Sequence, residues 1–435
     1  MELEHNREIP SDLYKITGTP ALIAYWQYPC ESHIVSGSDG YHIQLFRIPH
    51  GKNGTVTNKY PVLLWHGLAN SSELFVAGTP ECSLAYVLAD AGFDVWLANT
   101  RGSKYSYGHD DLDLSVKKDR QRYWNYSIDE MALFDVPAVV DFILEMTGHC
   151  KISYIGFSQG SAKAFAALSL SEELNHKINR MIGLAPAMKP KKVKSEAFNT
   201  VVDYCGGNRF LFNLLGKGCF MPIAEYLPGI SLSLNRFLIK AVINNILKWK
   251  MDKLGSIERQ DLLYKNLFST TSVQNFVHWF QIMGNERFAM YEEDDDVSTI
   301  PAVNYPTKHI TTQITLFCGL EDNISDPEYL KTKLPPHAEF NYVPYEHLDF
   351  VFAHNAKTLV WDSIIDILNQ DAGVKSKKMA VGPEIVMSDN DLDSELTLLD
   401  LKVNGNVEEQ EEIEVEVVSK PVSTRKRKSK RRARK

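Results

Sequence analysis

The sequence predicts an α/β fold, in which helices cover both faces of a mostly parallel central sheet and a helical cap is inserted between two of its strands. Short apolar runs alternate with longer, helix-patterned stretches from Tyr41 to Asp349, which is typical of such sheets. The central runs are apolar throughout, as strands buried on both faces should be. The stretch 186–305 breaks this alternation with helix-rich, aromatic sequence, which favours an insertion.

Seven apolar or β-branched runs are predicted strands. In chain order they are Tyr41–Arg47, Val62–Trp65, Asp94–Ala98, Ile152–Ile155, Met181–Leu184, Ile314–Phe317 and Glu339–Val343. The stretch Asp129–Met146 predicts a helix, because its apolar residues recur near helical spacing and two acidic residues stand in its first turn. Helices of this kind are expected to join the parallel strands.

The same patterns divide the chain into five parts. They are an N-terminal extension over 1–23, a first part of the core over 24–185, the cap or lid over 186–305, a second part of the core over 306–370 and a tail over 371–435. Within the cap, Leu234–Lys250 predicts an amphipathic helix that carries Arg236, Lys240 and Lys248 beside apolar residues. Two interpretations of this helix stay open: ordinary packing on the core, or a functional role as a mobile lid or as a surface that sits on lipid.

The tail changes composition twice. Asp389–Glu416 carries 11 acidic residues and one lysine, and Ser419–Lys435 carries 10 Lys or Arg in 17 positions. Block-charged sequence without aromatic residues is predicted to be disordered. We interpret it as a solvated tail; the alternatives are a nuclear address, or contact of its basic end with an anionic membrane or nucleic acid.

The overall composition excludes several classes of protein. Hydrophobic residues make up 44% of the 435 residues and charged residues 23%, so the chain can bury a large core and is neither wholly disordered nor collagenous. The formal net charge of -8 gives no general reason to bind nucleic acid. The six cysteines are sparse, and neither a signal peptide in residues 1–15 nor an apolar stretch of spanning length is legible. We therefore expect an intracellular, cytosolic protein.

The strongest local signal is the segment Gly156-Phe-Ser-Gln-Gly160, which has the pattern G-x-S-x-G. It follows the predicted strand Ile152–Ile155 directly and precedes a helix-patterned run. A serine between such a strand and helix sits on a sharp turn, and glycines flank it because side chains there would collide. The pattern predicts that Ser158 is a nucleophile at the carboxyl edge of the sheet.

A serine hydroxyl needs a general base, and the base needs a carboxylate that orients it. In this architecture the chain order is serine, acid, histidine. Asp322 follows the predicted strand Ile314–Phe317, and His347 follows the last predicted strand, so both fit this order. The sequence therefore predicts Asp322 as the acid and His347 as the base.

Three other side chains compete for these roles. Glu321 and Asp326 are alternatives for the acid, and His354 is an alternative for the base. Asp326 stands just before Pro327 and is better explained as the N-cap of a helix.

A tetrahedral oxyanion needs two backbone N–H donors. The residue after the nucleophile, Gln159, is predicted to supply the first. The turn after Val62–Trp65 reads His66-Gly67-Leu68, and Gly67 permits a close approach, which makes the N–H of Leu68 the second candidate. His66 could be mistaken for a base, but its neighbourhood indicates a histidine that braces this loop.

Longer segments carry a resemblance to a known family. They are AYWQYPCESHIVSGSDGYHIQLFRIP, LLWHGLANSS, LADAGFDVWLANTRGSKYS, YWNYSIDEMALFDVPAVVDFI, GFSQGSAKAFAALS, TSVQNFVHW, the stretch Gly319–Pro327 and EHLDFVF. With them the sequence resembles the acid lipase family of α/β-hydrolases, which includes gastric and lysosomal lipases. It looks closest to the fungal branch of steryl ester hydrolases and triacylglycerol lipases.

The resemblance implies an α/β-hydrolase fold with an inserted cap. Carried over by position, it places the nucleophile on Ser158, the acid on Asp322, the base on His347 and the oxyanion hole on Leu68 and Gln159. These are the same residues that the motif and the chain order predict.

The resemblance also implies a serine hydrolase that cleaves carboxylic esters of neutral lipids, steryl esters or triacylglycerols, through an acyl-enzyme intermediate. The expected partners are a neutral lipid substrate and the surface of a lipid droplet or of a membrane such as the ER, without nucleic acid. No zinc-like cluster or dinucleotide fingerprint is legible, so neither a metal nor a cofactor is expected. The alternatives are a small-ester or acyl-thioester hydrolase and a catalytically idle scaffold.

Overall fold

The computed structural model describes residues 9–54, 60–191, 200, 216, 218–222, 229–244, 249–250, 252–292 and 302–373. All of them lie in the first of the two units into which the chain divides, Met1–Lys377 and Lys378–Lys435. From position 374 onward, the predicted charged tail therefore lies outside the described residues, and so does Lys248 of the predicted cap helix.

A large sheet forms the centre of the described structure. The strands present among these residues are β1 (Glu31–Ser36), β2 (His42–Ile48), β3 (Pro61–Trp65), β4 (Asp94–Ala98), β5 (Ile152–Phe157), β6 (Ile178–Leu184), β7 (Cys219–Phe220), β8 (Thr271–Ser272), β9 (Gln313–Gly319) and β10 (Glu339–Val343). Eight of them form one sheet in the order β1-β2-β4-β3-β5-β6-β9-β10, and β7 pairs with β8. The pairs β1–β2 and β2–β4 are antiparallel, whereas every pair from β4 to β10 is parallel. The predicted fold class is confirmed.

Helices join the strands and cover both faces of the sheet. In the described residues the α-helices are α1 (Thr19–Tyr25), α2 (Leu84–Asp90), α3 (Lys117–Tyr123), α4 (Ile128–Glu130), α5 (Val136–Thr147), α6 (Gln159–Leu170), α7 (Glu172–Lys177), α8 (Leu232–Val242), α9 (Ile257–Lys265), α10 (Val273–Gly284), α11 (Pro327–Lys333), α12 (Asp349–Phe352) and α13 (Asp362–Asp371). Short 3-10 turns occupy Leu13–Lys15, Ser72–Phe75, Pro80–Cys82, Asp252–Leu254 and Thr307–His309, and π turns occupy Met131–Asp135 and Lys357–Trp361.

The two faces of the sheet bury separate clusters of side chains. Leu63 and Trp65 of β3 pack with α5 and α6, while the alternate residues Val62 and Leu64 pack with α1, α2 and α13. Successive side chains of a strand point to opposite faces, so both faces of β3 are covered. This explains why the central strands are apolar throughout.

The sequence patterns do not predict β1, and they start β6 too late. β1 pairs with β2 alone at the edge of the sheet, and only Val35 of its six residues is buried, so it lacks the apolar run that marks the central strands. β6 begins at Ile178 rather than at Met181, because the strand includes the polar Arg180, whose guanidinium lies 2.6 Å from Asp371.

The predicted helix Asp129–Met146 is present, but it is not uniformly α-helical. The π turn Met131–Asp135 separates α4 from α5. Pro137 at the start of α5 has no N–H to donate to the preceding turn. The Asp135 side chain meanwhile binds the guanidinium of Arg101, and apolar spacing alone does not register such a single-turn irregularity.

The predicted cap helix is shorter than expected. α8 covers Leu232–Val242, and Ile243 and Asn244 continue the helical chain in π form. Residues 245–248 lie outside the described residues, and Trp249 and Lys250 are not helical. Trp249 is 6% exposed, so it does not share the exposed apolar face with which the sequence pattern groups it. Arg236 of the predicted basic stripe is ion-paired with Asp261 at 2.5 Å.

Parallel strands bring their carboxyl ends to one edge of a sheet, where the loops that follow them meet. β3 is followed by the loop of Leu68, β5 by Ser158, β9 by Asp322 and β10 by His347. The sheet order therefore collects residues that lie far apart in the sequence. From the cap, the N–H of Ser269 donates a hydrogen bond of 2.8 Å to the loop after β3. The partition into extension, core and cap stays a prediction.

Candidate active site

Ser158 sits at the sharp turn between β5 and α6. Its backbone has φ 53° and ψ -117°, a conformation that residues with a side chain rarely adopt. A Cβ atom on Gly160 would lie 2.2 Å from the carbonyl oxygen of Trp65, and one on Gly156 would lie 2.6 Å from the backbone of Gly160. Only glycine fits at both positions, which is the packing that the G-x-S-x-G pattern predicts.

The structure brings Ser158, Asp322 and His347 together in one chain of hydrogen bonds. The Oγ of Ser158 lies 2.8 Å from Nε2 of His347, and Nδ1 of His347 lies 2.9 Å from Oδ2 of Asp322. A carboxylate can only accept, so Nδ1 carries the ring proton and Nε2 accepts from the serine hydroxyl. The three residues are 8%, 2% and 3% exposed in the order serine, aspartate, histidine, so water has little access to these bonds.

Asp322 is oriented by the loop that follows β9. Its Oδ1 accepts hydrogen bonds from the backbone N–H groups of Ile324, at 2.7 Å, and Ser325, at 3.1 Å, which leaves Oδ2 for the histidine. A Cβ atom on Gly319 would lie 2.2 Å from the carbonyl oxygen of Tyr345. The loop that carries the aspartate is therefore in direct backbone contact with the loop that carries the histidine.

Among the described residues, none of the three competing side chains joins this chain of hydrogen bonds. Glu321 lies 3.2 Å from the ammonium of Lys253, and the exposed His354 contacts the backbone carbonyl of Lys253 at 2.9 Å. Asp326 accepts from the backbone N–H of Tyr329 at 3.3 Å and is the N-cap of α11, as the sequence predicts.

Asp326→Ala should leave turnover close to that of the wild type and lower the free energy of unfolding by about 1 kcal/mol, the usual effect of losing an N-cap. Turnover of a soluble p-nitrophenyl ester and unfolding in urea measure the two effects. Asp322→Ala, in the same loop, is the matched comparison. If Asp326→Ala is inactive and Asp322→Ala is active, the acid is Asp326 and not Asp322.

The two predicted oxyanion donors lie next to the nucleophile. Gln159 is the first residue of α6, and Leu68 follows Gly67, at which a Cβ atom would lie 3.1 Å from the Cβ of Ser158. In the part of the chain that the structure describes, neither the N–H of Leu68 nor that of Gln159 donates a hydrogen bond. Both are available to an oxygen, and the N-terminal end of α6 adds a positive partial charge.

The side chain of Gln159 is held by the helix α10. Its Oε1 accepts hydrogen bonds from Nε1 of Trp279, at 2.6 Å, and from Nδ2 of Asn275, at 3.1 Å. These bonds fix the residue whose backbone N–H is the first candidate oxyanion donor. Motif reasoning does not assign roles to Asn275 and Trp279, although the segment TSVQNFVHW that contains them is part of the family resemblance.

His66 braces the loop after β3, as the sequence predicts. Its Nε2 accepts from the backbone N–H of Thr100 at 3.0 Å, and its Nδ1 lies 2.9 Å from the carbonyl oxygen of Gly67. Burial, reinforced by the nearby charge of Lys163, lowers the pKa of His66 to about 3, so the ring is neutral near physiological pH. Both nitrogens are already engaged, which excludes this histidine as the base for Ser158.

No group of three or more His, Cys, Asp or Glu side chains that could hold a metal ion occurs among the described residues. Nor does the described part of the chain contain a helix long and apolar enough to cross a membrane.

Known proteins are similar to this sequence over most of its length. Residues 60–353 match a family model described as alpha/beta hydrolase fold, and residues 19–79 match one described as a partial alpha/beta-hydrolase lipase region. A probable lipase of Schizosaccharomyces pombe is 36% identical over 80% of this chain and 79% of its own. Gastric triacylglycerol lipase of Bos taurus is 33% identical over 80% of this chain and 90% of its own. Lipase member K of Homo sapiens is 32% identical over 80% of this chain and 90% of its own.

The family matches and the fold lead to the same conclusion. The predicted resemblance to gastric-type lipases and the predicted enzyme class are confirmed, because the family models and these relatives cover most of the chain. The chain therefore belongs to the α/β-hydrolase family, among the lipases that are similar to gastric lipase, and is a carboxylic ester hydrolase.

Proposed function

We propose that the protein hydrolyses esters of neutral lipids, steryl esters or triacylglycerols, through an acyl-enzyme on Ser158. The observation that carries this proposal is the unbroken chain of hydrogen bonds from Ser158 through His347 to Asp322, next to two N–H groups without an acceptor among the described residues. In serine hydrolases such an arrangement activates the hydroxyl and stabilises the charge that develops on the ester oxygen.

In the first half of the proposed reaction, Oγ of Ser158 attacks the ester carbonyl while Nε2 of His347 removes its proton. Asp322 keeps the imidazole in the required tautomer and stabilises the imidazolium that forms. The carbonyl oxygen becomes an oxyanion, which the N–H groups of Leu68 and Gln159 bind. His347 then protonates the leaving sterol or glycerol oxygen as its bond to the acyl carbon breaks.

In the second half, a water molecule replaces the alcohol. His347 removes a proton from this water as its oxygen attacks the acyl carbon, and a second oxyanion forms in the same place. The bond between the acyl carbon and Oγ of Ser158 breaks, and the serine regains its proton from the imidazolium. The products are a free fatty acid and the unchanged enzyme, so the cycle needs no group from outside the chain except water.

An exposed apolar face on α8 favours lipid over small, soluble esters as substrate. Leu234, Phe237 and Leu238 are 48%, 68% and 42% exposed, and their spacing places them on one side of the helix. We propose that this face, Leu234, Phe237 and Leu238, docks on the surface of a lipid droplet or membrane. Contiguous exposed apolar side chains of this kind are typical of interaction sites. The relatives named triacylglycerol lipases support the same substrate class.

Release of fatty acid from purified protein tests the proposed substrate class. Cholesteryl oleate, triolein and p-nitrophenyl butyrate are supplied separately, and Ser158→Ala is the control for background hydrolysis. We expect fatty acid from at least one of the two long-chain lipids. Hydrolysis of the butyrate ester alone would favour a small-ester hydrolase, and hydrolysis of none of the three would favour the idle scaffold.

The double variant Phe237→Ser and Leu238→Ser should lower hydrolysis of dilute emulsified triolein about a hundredfold or more, because each buried apolar side chain contributes about 1.5–3 kcal/mol to docking. Hydrolysis of soluble p-nitrophenyl butyrate should stay within about twofold of the wild type, since it requires no surface. Ile34→Ser is the matched control, because Ile34 is 63% exposed on the edge strand β1. Equal losses on both substrates would show that α8 has a structural role only.

A further inference from the structure

Trp249 contacts both loops that carry the histidine and the aspartate of the site. Its indole stacks on the imidazole of His347, with ring centroids 5.4 Å apart and planes inclined by 26°. Its Nε1 donates a hydrogen bond of 2.6 Å to Oδ1 of Asn323, the residue after Asp322. One side chain thus covers the proposed base and holds the loop of the proposed acid.

The residues that follow Trp249 contact the same two loops. The backbone N–H of Lys250 donates a hydrogen bond of 2.6 Å to Oε2 of Glu346, the residue before His347. The ammonium of Lys253 lies 3.2 Å from Glu321 and 3.5 Å from Asp349. We call Trp249, Lys250 and Lys253 the clamp, because its contacts fall on residues before and after both Asp322 and His347.

The contacts of the Trp249 indole are directed at the site. The indole is 6% exposed, and its single donor is used on Asn323, so both its face and its N–H are committed to the site. The imidazole also packs against Phe157, with centroids 5.2 Å apart. Two aromatic side chains therefore restrict the motion of His347, and only one of them, Trp249, comes from outside the core strands.

We propose that Trp249 is a positioning residue, which holds His347 in line with Ser158 and keeps water from the hydrogen bond between His347 and Asp322. This role rests on the proposed function, since it concerns the same reacting groups. Displacement of a catalytic group by about 1 Å can lower a rate about a hundredfold, so a clamp that fixes the imidazole has a measurable effect. Cap residues thereby contribute to the chemical step as well as to substrate access.

Two substitutions separate the contributions of the ring and of its N–H. Trp249→Phe keeps an aromatic ring in place but removes the donor to Asn323, and Trp249→Ala removes both. Trp26→Ala is the matched control. Trp26 is half-buried, and its indole contacts the ring of Tyr25 and the ammonium of Lys52 instead of the site. The readouts are kcat and KM on p-nitrophenyl acetate, the thermal midpoint, and the far-downfield proton resonance of the His347 Nδ1–H.

For Trp249→Ala we expect kcat to fall about tenfold to a hundredfold with KM unchanged within about threefold. The kcat of Trp249→Phe should lie between the values for Trp249→Ala and the wild type. Its thermal midpoint should be close to that of Trp26→Ala. The downfield proton should broaden in Trp249→Ala because it exchanges with water, and this signal does not depend on turnover. Trp26→Ala should keep the wild-type kcat.

Two results would overturn the proposal. If kcat stays at the wild-type value while KM rises, Trp249 lines the substrate site instead of positioning the base. If kcat falls only in proportion to the folded fraction and the downfield proton is unchanged in the folded protein, Trp249 is a packing residue. Failure of the proposed function itself gives a different pattern, in which the wild-type protein does not hydrolyse the ester or Ser158→Ala remains active.

Discussion

Ser158→Ala and His347→Ala should each lower turnover by about four orders of magnitude or more while leaving the protein folded, because the residues of such a triad act as a unit. The two side chains are 2.8 Å apart, and neither has a substitute within the chain of hydrogen bonds. Asp322→Asn should lower turnover by a similar factor, since an amide no longer fixes the tautomer of the imidazole. Turnover of a soluble ester and the thermal midpoint are the measurements.

The losses of turnover caused by Ser158→Ala and His347→Ala should not add in the double variant. The double variant of Ser158→Ala with His347→Ala should be no slower than either single variant, because each substitution alone already removes the activated nucleophile. Additive losses would mean that the two side chains act separately. Substantial activity in Ser158→Ala would show that a different group attacks the ester.

Arg101→Met should lower the free energy of unfolding by about 3–5 kcal/mol, the usual effect of removing one member of a buried ion pair. The guanidinium is fully buried, and its Nε and Nη2 bond Oδ1 of Asp135 at 2.9 and 2.5 Å, while its Nη1 bonds Asp39 at 2.7 Å. It also lies 3.9 Å from the ring centre of Tyr41. Without Arg101, the buried carboxylate of Asp135 loses the cation bonded to it and keeps only the nearby charge of Lys163, whereas Asp39 is partly solvated.

The stability loss of Arg101→Met should depend on pH. Burial raises the pKa of Asp135 even with the opposing charge of Arg101 beside it, and removal of the guanidinium raises it further. A carboxyl whose pKa is raised by folding holds a proton that the unfolded chain has lost, so its penalty grows as pH rises above about 4. Urea unfolding at pH 5 and pH 8 should therefore show the larger deficit at pH 8.

The double variant Arg101→Met with Asp135→Leu is the control for this second prediction. It removes the unpaired buried carboxylate and should recover most of the lost stability. The remaining loss in its free energy of unfolding should no longer depend on pH. If the double variant is as unstable as Arg101→Met, the loss in the free energy of unfolding comes from the lost contacts with Asp39 and Tyr41 instead.

The sequence predicts the central strands and the candidate site residues because local signals mark both. Strands buried on both faces must be apolar, and the turn at Ser158 accepts only glycine at Gly156 and Gly160. The edge strand β1 has no such requirement and carries no comparable pattern. The π turn before Pro137 is equally invisible, because it changes the helical spacing of apolar residues by one position only.

Contacts between distant segments are the part that sequence patterns do not reveal. The choice of Asp322 over Glu321 depends on how the loop after β9 turns against Tyr345, which is a matter of backbone packing. Trp249 lies 98 positions before His347, and the pattern of its own segment groups it with exposed apolar residues. Its role becomes visible only when the cap residues and the loops after β9 and β10 are seen together.

Covalent trapping tests the central claim, that Ser158 is the nucleophile of an ester hydrolase, most directly. A p-nitrophenyl alkylphosphonate resembles the tetrahedral intermediate and forms a stable bond to an activated serine, with release of p-nitrophenol. Intact-protein mass and peptide mapping should find one phosphonyl group per chain, on Ser158, and His347→Ala should react far more slowly. A phosphonyl group on another residue, or undiminished labelling of Ser158→Ala, would contradict the claim.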